Sequence, residues 1–340
     1  MRLVWKQAWA VIGALLVLTN ITAALAESIL EVAPSQVIEF GPWTGGEKAP
    51  VLSSLALDPQ GRLLVTGGDD HLARVWDARA GQLARRLVGH RDWVRAVAFN
   101  ASGTMVATAG NDRTIFLWDL SGAYPPRALA EQVEGICALA FSPDNSLLVA
   151  GGFDSRVRVY EASTGTLLYA MPMPGSDVRS LAFSPDGRFL AAAGRSDCVR
   201  VWGARDGRLV YDLSGHRLRV NALAFSPDGA RLASAGDERL IRLWDMASGS
   251  LAATFGPRPG KILSLTFCGP DRVAAGASDN VVRVWDIASG KDVARLVGHT
   301  GSVSSLVWDA TAGVLISGSF DTTVRIWRVK PLGASTISRR

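Results

Sequence analysis

From residue 52 to residue 327 the chain is a succession of short apolar runs separated by polar clusters, and none carries the 3.6-residue period of an amphipathic helix. Small and β-branched residues alternate with charged ones, as in RLASAG (231–236) and IRLW (241–244). That pattern predicts strands on a pleated, half-buried surface. One apolar run ends in Phe-Ser-Pro-Asp at residues 141–144, 183–186 and 225–228. Proline presets the turn there, and Gly187 and Gly229 follow the Asp, where a positive φ is tolerated. A second strand comes next, then a tight loop with an acidic residue, then a third strand ending in an aromatic. A fourth, weaker strand starts after a glycine, as in GQLARRL (81–87), GRLVYDL (207–213) and GKDVARL (290–296).

This order recurs. The aromatic closing the third strand is Trp76, Trp118, Tyr160, Trp202, Trp244, Trp285 and Trp327, at separations of 42, 42, 42, 42, 41 and 42 residues. Seven four-stranded units at so constant a period leave no room for independent domains.

The repeat resembles the WD40 family over nearly all of the chain after residue 26. Trp-Asp stands at 76–77, 118–119, 244–245 and 285–286, and Gly-His at 89–90, 215–216 and 298–299. The resemblance implies an all-β, seven-bladed β-propeller with four antiparallel strands per blade. It also implies a His, Ser/Thr, Asp, Trp wiring within blades. His90, Thr108, Asp112 and Trp118 supply a full set, as do His299, Ser317, Asp321 and Trp327. His216, Ser234, Glu238 and Trp244 form a third, with Glu for Asp. The unit of Thr66, Asp70 and Trp76 lacks the His, and Ala150, Ala192 and Ala275 replace the strand hydroxyl in three others. After Trp327 no good fourth strand follows, whereas Ser35–Phe40 has no partner of its own. This predicts that the N-terminal strand completes the last blade, which removes open edges.

Composition refines the picture at the ends. Arg2 and Lys6, the apolar run 8–18 and Ala24-Leu25-Ala26 read as a cleavable signal peptide, residues 1–26. A propeller over 27–330 and a tail over 331–340 follow. This predicts an exported chain, periplasmic or secreted and of bacterial type, with an uncleaved membrane anchor as the alternative. Removing residues 1–26 subtracts two basic side chains, so the net charge falls from +5 to +3. That is too mild to predict nucleic-acid binding. Cys137, Cys198 and Cys268 are too scattered for a disulfide framework.

Catalysis would need convergent groups that the repeat does not explain. Of the four histidines only His71, beside Asp69 and Asp70, stands outside the Gly-His pairs, and one imidazole is far from a metal constellation. Asp112, Asp154, Asp279 and Asp321 recur six residues before the aromatic, and Arg74, Arg158, Arg200, Arg242, Arg283 and Arg325 two before it. Both are repeat features rather than a cation ring or a nucleic-acid stripe. No cofactor or metal and no enzymatic activity are predicted. Function should reside where equivalent loop positions vary. The resemblance points to the face formed by the loops before the first strand and between the second and third. There Trp93, Arg95, Phe153, Arg179, Arg195, Arg219 and Phe320 offer the aromatic and guanidinium groups common in binding hot spots. The prediction is a monomeric, non-catalytic scaffold or assembly subunit that holds protein partners. The alternatives are an enzyme with a site in the central funnel and a binder of anionic surfaces through Arg95, Arg179, Arg195 and Arg219.

Overall fold

The computed structural model describes residues 30–39, 49–129 and 132–329. The expected signal segment and the C-terminal tail lie outside them. The strands form seven antiparallel sheets, one per repeat. Blade one consists of Leu52–Leu57, Leu63–Gly68, Leu72–Asp77 and Leu83–Val88, in that order from the centre outward. Blades two to six repeat it, beginning at Val94, Ile136, Val178, Val220 and Ile262. Blade seven is composite. Its inner strands are Val303–Asp309, Val314–Ser319 and Thr323–Trp327, and its outer strand is Gln36–Glu39. Gln36 pairs with Ile326 and Glu39 with Thr323. Outside the fourth strand of blade six, Val32 accepts a hydrogen bond from the N–H of Val297 at 3.2 Å.

The core is seven wedges, each between adjacent blades. Between blades one and two, Val65, Val75 and Leu87 meet Val94, Val97 and Trp118. Ile38 of the N-terminal strand, 4% exposed, belongs to the wedge between blades seven and one. Burial is thus a nearest-neighbour property around a ring, and each wedge stays dry only while both flanking blades are in place.

First strands line the central channel, which encloses about 250 Å³. Each carries a bulge at its second residue, where the pairing register with the second strand shifts. The bulged residues are Ser53, Arg95, Cys137, Arg179, Asn221, Leu263 and Ser304. A bulge leaves its residue out of the ladder and re-aims the side chain. In odd-numbered blades that side chain stitches to the next blade. The Ser53 hydroxyl donates to the carbonyl of Val94, Cys137 Sγ to that of Val178 (3.1 Å), Asn221 Nδ2 to that of Ile262 (3.0 Å) and Ser304 Oγ to that of Leu52 (2.8 Å). The last bond joins blade seven to blade one. Arg95 and Arg179 make no such stitch, and their guanidinium groups serve the rim instead.

Candidate functional site

The rim is fixed from beneath by backbone contacts. Directly after the second strand, Asn111 donates its N–H to the carbonyl of Trp93 (3.0 Å), Phe153 to that of Gly135 (2.9 Å), Asp237 to that of Arg219 (2.9 Å) and Phe320 to that of Ser302 (3.0 Å). The approach is so close that a Cβ on Gly110 or Gly236 would sit 2.0 Å from the carbonyl oxygen of Trp93 or Arg219. Glycine is therefore obligatory where the second strand ends under these residues. Blade four departs from this pattern: the N–H of Arg195 bonds to Asp177 Oδ1 at 2.6 Å.

Four of the seven candidate rim residues form one stack. The Arg95 guanidinium lies 4.6 Å from the Trp93 ring centroid and 6.0 Å from that of Phe153, and Arg179 covers the same Phe153 ring at 4.8 Å. Phe153 in turn rests on Gly135, where an added Cβ would be 3.1 Å from the ring. The Nε of Arg95 donates to Asn111 Oδ1 at 2.9 Å. Asp177, 5% exposed, ties in the remaining charges: its Oδ2 meets Arg179 Nε at 2.9 Å and Arg219 Nη2 at 3.5 Å, while its Oδ1 takes the Arg195 N–H. Trp93 (38% exposed) gives the stack an open apolar edge. Phe320, 46% exposed in blade seven, makes none of these contacts, and the Arg195 side chain is exposed. Farther round the mouth, Asp237 takes both Asn221 Nδ2 (3.0 Å) and Lys261 Nζ (3.4 Å).

Burial is the largest influence on Arg95 and lowers its pKa, and the charge of Arg179 acts in the same direction. Beneath them burial pushes the Cys137 thiol up to about 11, which keeps it protonated and unreactive at neutral pH. No pattern in the sequence marks Asp177 as a hub, because its partners Arg179, Arg195 and Arg219 stand on three separate segments.

Wiring inside the blades takes several forms. In blade two, His90 Nδ1 donates to Asp112 Oδ2 (2.8 Å), so its Nε2 accepts from the Thr108 hydroxyl (2.7 Å), which in turn accepts from Trp118 Nε1 (2.8 Å). Blade seven repeats this with His299, Asp321, Ser317 and Trp327 at 2.8, 2.7 and 2.8 Å. The third set is different: His216 and Glu238 stand 3.9 Å apart, with Arg242 between them. Arg242 Nη1 lies 2.9 Å from His216 Nδ1 and 2.6 Å from Glu238 Oε2. Arginine has no acceptor, so His216 Nδ1 must accept and its proton sits on Nε2, which donates to Ser234 Oγ at 2.7 Å. The tautomer is the reverse of that in blades two and seven. Burial first, then Arg242, lowers the His216 pKa from 6.5 to about 4.

Blade three uses Gln132, 28 residues before Tyr160 as His90 is before Trp118, and its Oε1 accepts from the Tyr160 hydroxyl at 2.8 Å. The loop carboxylates in blades without the His are held by arginine two residues before the aromatic. Arg74 grips Asp70 (3.1 and 2.5 Å), Arg158 Asp154 (3.2 and 2.5 Å) and Arg283 Asp279 (3.1 and 2.6 Å). His71 has φ 68°, matching Arg113, Arg239, Asn280 and Thr322 at the equivalent turn position, so it is a turn residue of the repeat. Blade six is the least satisfied. Ala275 stands where blades one, two, five and seven have a hydroxyl, and Trp285 Nε1 has no hydrogen-bond partner among the described residues. Arg258 covers the Trp285 ring at 5.3 Å.

The repeats match the family model described as WD domain, G-beta repeat, over residues 42–77, 81–119, 127–161, 165–203, 207–245, 249–286 and 290–328. The chain belongs to the WD40 repeat family. It is similar to nuclear distribution protein PAC1 of Arthroderma otae, 40% identical over 70 residues, which is 20% of this chain and 14% of that protein. It is also similar to PAC1 of Coprinopsis cinerea, 45% identical over 40 residues (12% and 9%), and to dynein assembly factor with WD repeat domains 1 of Rattus norvegicus, 41% over 49 residues (14% and 12%). The matches thus span a small part of these relatives.

The comparisons correct one expectation. Relatives from fungi and rat named for nuclear distribution and dynein assembly point away from an exported, periplasmic or secreted protein of bacterial type. The signal-peptide reading falls with it. A basic, apolar and small-residue succession is a pattern of composition alone, and residues 1–26 lie outside the described residues.

Proposed function

We propose that this protein is a non-catalytic scaffold that holds protein partners on the rim of its central channel, centred on Trp93, Arg95, Phe153, Arg179 and Arg219. The observation that carries the reading is the Trp93–Arg95–Phe153–Arg179 stack anchored on Asp177. It is a group of large, rigid, amphipathic side chains, held in place before any partner arrives. Preorganised aromatic and arginine side chains lose little entropy on binding, and that is how a few residues come to dominate an interface. The polar side chains of the channel wall support holding over catalysis, since Ser53, Cys137, Asn221 and Ser304 are engaged in stitching blade to blade. The relatives named for assembly and distribution fit a protein that brings others together.

Affinity capture with the native protein and with a Trp93→Ala/Phe153→Ala variant tests the reading. The variant removes the stack's aromatic faces and leaves the blade wiring intact. It should lose the specific partners that the native protein retains. Equal recovery of the same proteins by both baits would exclude this rim as the binding face.

A further inference from the structure

We infer that the rim takes an acidic segment of a partner protein, seating a carboxylate among Arg95, Arg179 and Arg219 beside the apolar edge of Trp93. The inference rests on the docking reading above and gives the partner a chemistry.

Three guanidinium groups share this part of the mouth, and the buried carboxylate of Asp177 meets only two of them. Arg95 has no carboxylate within ion-pair distance among the described residues, and its Nε bond goes to the neutral amide oxygen of Asn111. The Nη atoms of Arg95 and Arg179 have no protein acceptor among the described residues, and Arg219 Nε is buried without a hydrogen-bond partner. Donors of this kind, partly withdrawn from water and close to one another, gain more from an incoming anion than exposed arginines do. Arg95 is already penalised by burial and by the neighbouring positive charge of Arg179, and a carboxylate between them would relieve the second effect.

Both Arg95 and Arg179 lie within 6.0 Å of the Phe153 centroid, so one ring sets their spacing and holds two like charges together. Asp177 orients Arg179 and Arg219 through one oxygen, leaving the remaining guanidinium edges for a ligand.

A nucleic acid or other long polyanion would need a track of free positive charge. Four of the six arginines that recur round the blades are instead closed on Asp70, Asp154, Glu238 and Asp279, and Lys261 is closed on Asp237. At the mouth, Arg95 and Arg179 share the Phe153 face with Trp93 beside them, and Arg219 joins them through Asp177, so the patch is compact and flanked by aromatic faces. A short acidic stretch with an adjoining apolar residue fits it better.

The test is fluorescence anisotropy with a labelled oligo-glutamate peptide, with oligo-glutamine and a single-stranded oligonucleotide as comparison probes. The native protein should bind oligo-glutamate, more weakly as salt is added, and leave oligo-glutamine unbound. Arg95→Gln combined with Arg179→Gln should weaken oligo-glutamate binding by about tenfold or more, as expected for loss of charge-assisted hydrogen bonds. If the double variant fails to melt cooperatively because Asp177 loses a partner, Arg95→Gln alone carries the test. Oligo-glutamate that does not bind, or that binds the variants as well as the native protein, overturns the inference. An oligonucleotide bound equally tightly and with the same dependence on Arg95 also overturns it in favour of a general polyanion site. Loss of captured partners in Trp93→Ala/Phe153→Ala with no effect of the arginine variants would leave docking standing and remove the acidic segment. Arginine-dependent oligo-glutamate binding with unchanged capture would do the reverse.

Discussion

Acidification should weaken the fold through His216, and replacing it by glutamine should remove that weakness. The His216 side chain is 1% exposed, with Nδ1 accepting from Arg242 and Nε2 donating to Ser234. Protonating Nδ1 would break the bond to Arg242 and set a second cation against it, and Glu238 at 3.9 Å offsets only part of that cost. The folded pKa therefore lies at about 4 against an ordinary value of 6.5. Because the folded value is depressed, the contribution is fully present above pH 6.5 and is lost as pH falls towards 4. Over that interval it amounts to about 3 kcal/mol. His216→Gln preserves both bonds in principle, since an amide can donate to Ser234 and accept from Arg242, and Gln132 fills the equivalent place in blade three. Urea denaturation followed by tryptophan fluorescence, at steps from about pH 4.5 to about 7.5, measures the difference between the two proteins. The native protein should lose about 2 to 3 kcal/mol more than the variant on going to the acid end. Parallel pH profiles would refute the tautomer and the role of Arg242.

Thr108→Val keeps the side-chain shape but leaves His90 Nε2 and Trp118 Nε1 buried without partners, and should cost about 3 kcal/mol by urea denaturation. Ala275→Ser should act in the opposite direction, giving Trp285 Nε1 an acceptor like the one Ser234 provides to Trp244 and adding about 1 kcal/mol, read as a raised Tm. Ile38→Ala should cost about 3 kcal/mol, because it empties part of the wedge between blades seven and one, and an unchanged Tm would show that the N-terminal strand contributes little there.

Much of this protein was legible because a repeat states its own rules many times. The spacing from Trp76 to Trp327 defined the units, and the constant offsets within each unit identified the wiring of His90 and His299. What escaped detection was contact between segments far apart in sequence. The bulges at Arg95 and Cys137 sit inside runs such as VRAVAF that read as plain alternation, so nothing in the pattern showed that these side chains leave the ladder. Glu238 occupied the proper offset from Trp244, but the insertion of Arg242 depends on side-chain reach that spacing does not encode. Gln132 was overlooked because a histidine was sought at a position defined by distance from the aromatic. Counting back 28 residues from Tyr160 would have found it. Among the rim residues, the sequence could not tell that Trp93, Arg95, Phe153 and Arg179 form one stack while Phe320 stands apart. At the N-terminus, composition pointed to export, and the relatives correct it.

The central claim is that partners dock on the channel rim. Site-specific photo-crosslinking tests it most directly, with a photoreactive phenylalanine analogue placed at Trp93 in one protein and at Leu168, an exposed residue of an outer strand, in another. The rim position should give discrete covalent adducts with partner proteins, reduced by excess unlabelled protein, and the outer position should give none of them. Adducts that form equally at Leu168, or only there, would contradict the claim.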